Sequence, residues 1–158
     1  MAELLPLYEA AGARLLIRPH VRHVVSDVPT VRRLLGQFES PALGIFLEPA
    51  AMLTAAMADD ARDHLGRILW ALAGHERTAA ILMSGAERPA MGAGEPDHDD
   101  LLVPAPLTRG ALDYHDLRQL LREHGRFERP MALVDEDLGA QLDMLREVGV
   151  LPSGSPVG

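Results

Sequence analysis

The chain contains no cysteine and no lysine. Without cysteine there is no disulfide, no thiol nucleophile and no thiolate metal site. All 15 basic residues are arginine, which excludes Schiff-base chemistry and a phosphate-loop lysine. Positive charge is not in excess either. The formal net charge is −8, whereas phosphate backbones are bound by clustered basic residues, so no nucleic-acid partner is expected. No apolar run approaches the roughly 18 residues of a membrane span, and the first residues do not read as a signal peptide. The sequence therefore reads as a cytoplasmic protein with no membrane partner.

What is present is an alternation of helix and strand signals over 158 residues that are 47% hydrophobic, enough for one well-filled core. Leu4, Leu7, Tyr8 and Ala11 predict a short helix over Glu3–Ala11, stopped by Gly12. Ala13–Ile17 reads as a buried strand. Asp27 caps a helix with Pro29 in its first turn and an apolar stripe of Val31, Leu34, Leu35 and Phe38. Ser40-Pro41 ends it, and Ala42–Leu47 is a second strand. Asp59–Ala73 is a helix facing inward through Leu65, Ile68, Leu69 and Leu72, and Trp70 is placed with that stripe as core. Thr78–Met83 is a third strand. From Ser84 to Leu112 the pattern is irregular, with Leu101-Leu102-Val103 as a short extended piece. Asp113 caps a helix through Leu117, Leu120 and Leu121, ending at Gly125. Met131–Val134 is the last strand and Asp137–Val148 the last helix, giving a domain over 1–148 and a tail over 149–158 expected to be disordered.

Short, continuously apolar strands between amphipathic helices predict a parallel sheet. Right-handed crossovers leave two forms, an open doubly wound sheet or part of a closed barrel. Four strands are half of what an eight-stranded barrel of about 250 residues contains.

Two strands end alike, in Arg18-Pro19-His20 and in Glu48-Pro49. Side chains just past a buried parallel strand sit where α/β proteins bind ligands. Arg18, His20 and His23 are candidates for binding an anion such as a sugar phosphate or carboxylate, against an alternative in which they form a solvated loop or Arg18 simply pairs with Glu48. Glu48 is the candidate general base. The acidic segment Glu95-Pro96-Asp97-His98-Asp99-Asp100 lacks the glycine and spacing of a calcium loop and reads as a lid. Arg88 and Arg109 flank it as further anion-binding candidates. His20-x-x-His23 would hold a metal only with further ligands nearby.

The run Arg14 to Met52, followed by Pro106-Leu107-Thr108-Arg109-Gly110-Ala111-Leu112-Asp113-Tyr114, resembles the sugar phosphate isomerase/epimerase family with its xylose-isomerase-like TIM barrel. The likeness runs from about Leu4 to Val148 and corresponds to the C-terminal half of such a barrel. In that family one strand ends in a metal-binding Glu, the next in a metal-binding Asp before proline, a later one carries H-x-K-D, and a last one ends in Glu. Carried over, the first Glu falls on Arg18 and the Asp on Glu48. The H-x-K-D strand falls on Ala80–Gly85, which has no ligand, and the last Glu falls near Val134, beside Asp135. The resemblance therefore implies a parallel (β/α) half-barrel of about four strands with a degenerate metal site, no cofactor, and action through assembly or binding of a small anionic, sugar-like ligand. The alternative it implies is an active isomerase, epimerase or lyase, with Glu48 as base and a divalent Mn, Mg, Co or Zn, in an assembled barrel. Four strands with two open edges predict a homo-oligomer or a complementary half-barrel chain as partner.

Overall fold

The computed structural model describes residues 1–88, 102–110, 114–124 and 129–152. The elements are α1 (Leu5–Ala10), β1 (Leu15–Ile17), α2 (Val28–Gln37), β2 (Leu43–Leu47), α3 (Ala61–Leu72), β3 (Thr78–Met83), β4 (Gly85–Glu87), β5 (Val103–Ala105), α4 (Tyr114–His124), β6 (Met131–Leu133) and α5 (Leu138–Glu147). Two 3-10 helices, Pro49–Met52 and Ala55–Asp60, bridge β2 to α3. The second takes up residues expected to begin α3, so that helix starts two residues later than its apolar spacing predicts.

Helix α2 forms where its caps dictate. The Asp27 carboxylate accepts from the Thr30 N–H at 2.8 Å, and the Thr30 hydroxyl accepts from the Asp27 N–H at 3.1 Å, a reciprocal capping box. Pro29, in the first turn, has no N–H to leave unsatisfied.

Four strands form one parallel sheet in the order β1-β2-β3-β6. Strand order follows chain order without reversal. A doubly wound sheet reverses at a switch point, so the arrangement is that of a barrel segment. The expected irregular stretch holds one further feature: β4 pairs antiparallel with β5, Gly85 opposite Ala105 and Glu87 opposite Val103. The acidic segment 95–100 and Leu101 lie outside the described residues.

The two faces of the sheet differ sharply. Leu43, Ile45, Leu47 and Ile81 are fully buried on one face, in a cluster with Val31 and Leu35 of α2, Leu65, Leu69 and Leu72 of α3, Leu120 and Leu121 of α4, and Met144 and Leu145 of α5. The other face carries Leu16 opposite Gly44, Phe46 opposite Ala80, and Leu82 opposite Ala132. None of these joins the core cluster, Leu16 is 39% exposed, and Phe46, Ala80, Leu82 and Ala132 are partly exposed. A Cβ on Gly44 would meet the Leu16 and Arg14 side chains at 2.9 Å, so glycine lets those two lie across the sheet here.

Trp70 corrects the sequence reading. It is 77% exposed. At about 100° per residue, the stripe of Leu65, Ile68, Leu69 and Leu72 leaves position 70 on the opposite side of α3. The packed chain also continues beyond Val148: Val150 and Leu151 lie against the core, held by N–H bonds to the Leu145 carbonyl at 3.0 and 3.2 Å. Residues 153–158 lie outside the described residues. Among the described residues no helix is long and apolar enough to cross a membrane.

Candidate functional site at the C-terminal edge of the sheet

The parallel strands all point the same way, so their C-terminal ends line one edge. Arg18 follows β1, Glu48 follows β2, Ser84 follows β3, and Val134-Asp135 follow β6. Glu48 is fully buried, while the Arg18 side chain is 47% exposed. The Glu48 Oε2 accepts from Arg18 Nε at 2.6 Å and also contacts Arg18 Nη2, so both nitrogens rest on one oxygen. The other oxygen, Oε1, faces the hydroxyl of Ser84 at 3.4 Å. The pairing anticipated for Arg18 and Glu48 thus forms, and it occupies the carboxylate.

His20 and His23 stand beside this pair in the turn after β1. Val21 N–H donates to the Ala51 carbonyl at 3.0 Å, tying the turn to the 3-10 helix behind Glu48. The two rings lie 5.0 Å apart, inclined by 37°. Burial, then the positive fields of His23 and Arg18, hold the His20 pKa below its usual value, with Glu48 opposing. Its Nδ1 accepts from the Arg22 N–H at 3.1 Å, so the neutral ring carries its proton on Nε2.

Arg88 and Arg109 are elsewhere. No hydrogen bond or ion pair among the described residues joins either to Arg18 or Glu48. Arg88 Nη2 donates to the Ala55 carbonyl at 3.3 Å. Arg109 is held by carboxylates: its Nε donates to Glu87 at 2.8 Å, its Nη2 to Glu136 at 2.8 Å, and its Nη1 lies 3.8 Å from Asp137. Hydrogen bonds to Glu136 and then Glu87 raise its pKa further above the ordinary arginine value. An anion reaching Arg109 would have to displace these partners.

The segment Pro106–Gly110 closes against β4 through two glycines. A Cβ on Gly85 would lie 2.4 Å from the Arg109 carbonyl oxygen, and one on Gly110 (φ +123°) would lie 2.2 Å from that of Ala86. The turn is completed by Gln141, a fully buried residue that the sequence reading missed. Its Oε1 accepts from the Leu107 N–H at 3.1 Å, and its Nε2 donates to the carbonyls of Val134 at 2.8 Å and Glu136 at 2.7 Å. The available signal was one polar residue on the buried stripe of Met144, Leu145 and Val148. Gln141→Leu strands three backbone groups at once; chemical unfolding is expected to show a loss of about 2 kcal/mol.

A metal centre of the kind the resemblance implies needs several hard or nitrogen ligands converging on one point. Among the described residues no three His, Asp or Glu side chains are placed to hold a metal ion, and the buried Glu48 carboxylate is already paired with the Arg18 guanidinium. No step through a metal follows from this donor set.

Neither a family model nor a curated protein matches the chain. Solved structures do. One is described as the probable 3-DHS dehydratase AsbF involved in petrobactin synthesis from Bacillus anthracis; it is 16% identical with a TM-score of 0.52, over 97% of this chain and 54% of that one. A second, described as the 3-keto-D-glucoside 4-epimerase YcjR from E. coli, is 16% identical with a TM-score of 0.46, over 93% of this chain and 49% of that one. The chain thus spans about half the length of these two structures. At 16% identity the likeness to the first structure concerns the fold alone, and with the four-stranded parallel sheet it establishes one half of a TIM barrel, helices outside.

Proposed function

We propose that the chain is a half-barrel that acts by assembly into a larger barrel and by binding a small anionic ligand at its C-terminal mouth, without the metal-dependent chemistry of the isomerases and epimerases it resembles. The observation that carries this reading is the bare sheet face. Leu16, Phe46, Ala80, Leu82 and Ala132 would be interior in a closed barrel, yet within one copy they remain outside the core. Parallel sheets are ordinarily covered on both faces, and a contiguous apolar surface of this kind marks an interaction site. The Arg18–Glu48 pair supports the second half of the reading. It neutralises the carboxylate that would serve as ligand or base, and it sets a half-exposed guanidinium beside His20 and His23, where an anion would meet it.

Native mass measurement combined with metal analysis on one sample tests the proposal. A dimer, or a complex with a complementary chain, without stoichiometric Mn, Mg, Co or Zn is expected. A monomer at every concentration would remove assembly, and a stoichiometric metal accompanied by turnover would remove the metal-free reading.

A further inference from the structure

Resting on that reading, we infer that the partner is a second copy of this chain, and that β6 of each copy pairs in parallel with β1 of the other. These are the two edges of the sheet, and among the described residues no strand pairs with the outer side of either. Two four-stranded copies supply the eight strands of a TIM barrel. A two-fold axis along the barrel leaves all eight parallel and makes two identical seams.

The ladder registers set the stagger that the seam has to complete. Leu15–Ile17 pair with Leu43–Ile45, Leu47 pairs with Ile81, and Ile81 pairs with Met131. Followed across the sheet from β1, Met131 is level with position 19, four residues beyond Leu15. If the middle of β6 meets the middle of the partner's β1, Ala132 lies opposite Leu16 and Met131 opposite Leu15. Each half then contributes a stagger of four residues, and the ring closes with about eight, the shear of a TIM barrel. With that seam, two copies alone complete a closed ring of the standard stagger. Ala132 and Leu16 also belong to the same bare face in their own copies, so both point into the ring.

Charge agrees with this pairing at the mouth. Past β1 come Arg18, His20, Arg22 and His23, and past β6 come Asp135, Glu136 and Asp137. In the proposed register Val134 is level with Arg18, which brings the exposed Asp135 beside the basic turn of the other copy. Glu136 and Asp137 are turned toward Arg109 of their own chain. At the opposite end the two flanking arginines lie against their own copies. Arg14 lies over Gly44, and Arg129 lies against the carbonyls of His75 and Glu76.

The absence of native cysteine gives a clean test. Neighbouring strands lie about 4.8 Å apart, within the Cα range of a disulfide. Oxidation of the Leu16→Cys/Ala132→Cys double variant is expected to give a covalent dimer of twice the chain mass in a non-reducing denaturing gel. Mixing the Leu16→Cys and Ala132→Cys single variants should give a linked heterodimer, while either alone stays unlinked; this arm stands if the double variant fails to fold. A native dimer that does not cross-link, or one that cross-links through Leu16→Cys alone, would overturn the seam while leaving assembly intact. A monomer throughout would overturn assembly itself, and the seam with it.

Discussion

Arg18→Met is expected to cost about 3 kcal/mol of stability, measured by chemical unfolding, making it the most damaging single change at the C-terminal edge of the sheet. The reason lies in Glu48, which has no exposed surface while its partner is 47% exposed. Two guanidinium nitrogens rest on one carboxylate oxygen, and the other oxygen has only the Ser84 hydroxyl at 3.4 Å. Removing the cation leaves a buried carboxylate with one long hydrogen bond. Breaking a buried pair from one side typically costs about 3–5 kcal/mol, and the lower end applies because water already reaches the guanidinium. Removing both charges together, as in Arg18→Met/Glu48→Leu, should restore most of the loss, because the desolvation penalty disappears with the carboxylate. Arg18→Lys should fall between, since one ammonium cannot present two donors in a fixed fork. A loss below about 0.5 kcal/mol for Arg18→Met would mean that solvent, not Arg18, neutralises Glu48.

Much of this edge was legible in the residues. Thr78–Met83 is a strand over the predicted span, and α2 begins where Asp27 and Pro29 place it, because caps and apolar runs are local signals. The pairing of Arg18 with Glu48 was legible as one of three alternatives, beside anion binding and a solvated loop, since both follow strands of the same form. Features made by distant segments were not legible. The β4–β5 ladder joins Gly85-Ala86-Glu87, which carries little intrinsic strand preference, to Val103-Pro104-Ala105, of which only Val103 belonged to the extended piece read from the sequence. The Gln141 clamp depends on a turn that arrives from 34 residues away. Trp70 was legible in principle, because its helical angle already placed it outside the stripe. The choice between open sheet and barrel segment lay beyond periodicity altogether. An apolar run reports that both faces of a strand want cover, whereas strand order reports which architecture provides it. In this chain those two reports differ: the run Ala42–Leu47 asks for two covered faces, and one copy covers only one.

That difference sets the second large expectation, that Phe46→Asp abolishes assembly while leaving the single copy folded. Phe46 lies on the bare face opposite Ala80, on a strand whose other face, Leu43, Ile45 and Leu47, is buried against the helices. The substitution leaves those helix-facing residues unchanged, so far-ultraviolet circular dichroism should remain close to that of the parent chain. In the assembled ring it removes two phenyl rings from the interior and puts two carboxylates there. Each buried phenyl ring contributes about 2 kcal/mol, and an unpaired buried carboxylate costs several kcal/mol more. The sum exceeds the roughly 2.7 kcal/mol that separates one dissociation constant from another a hundred times weaker. Sedimentation should therefore show a dimer for the parent and for Phe46→Leu, and a monomer for Phe46→Asp at micromolar concentration. Trp70→Asp supplies the control, because Trp70 lies on the outer side of α3 and its loss should leave the dimer intact. A Phe46→Asp chain that stayed dimeric while Trp70→Asp became monomeric would place the contact on the outer helices and leave the bare sheet face without a partner.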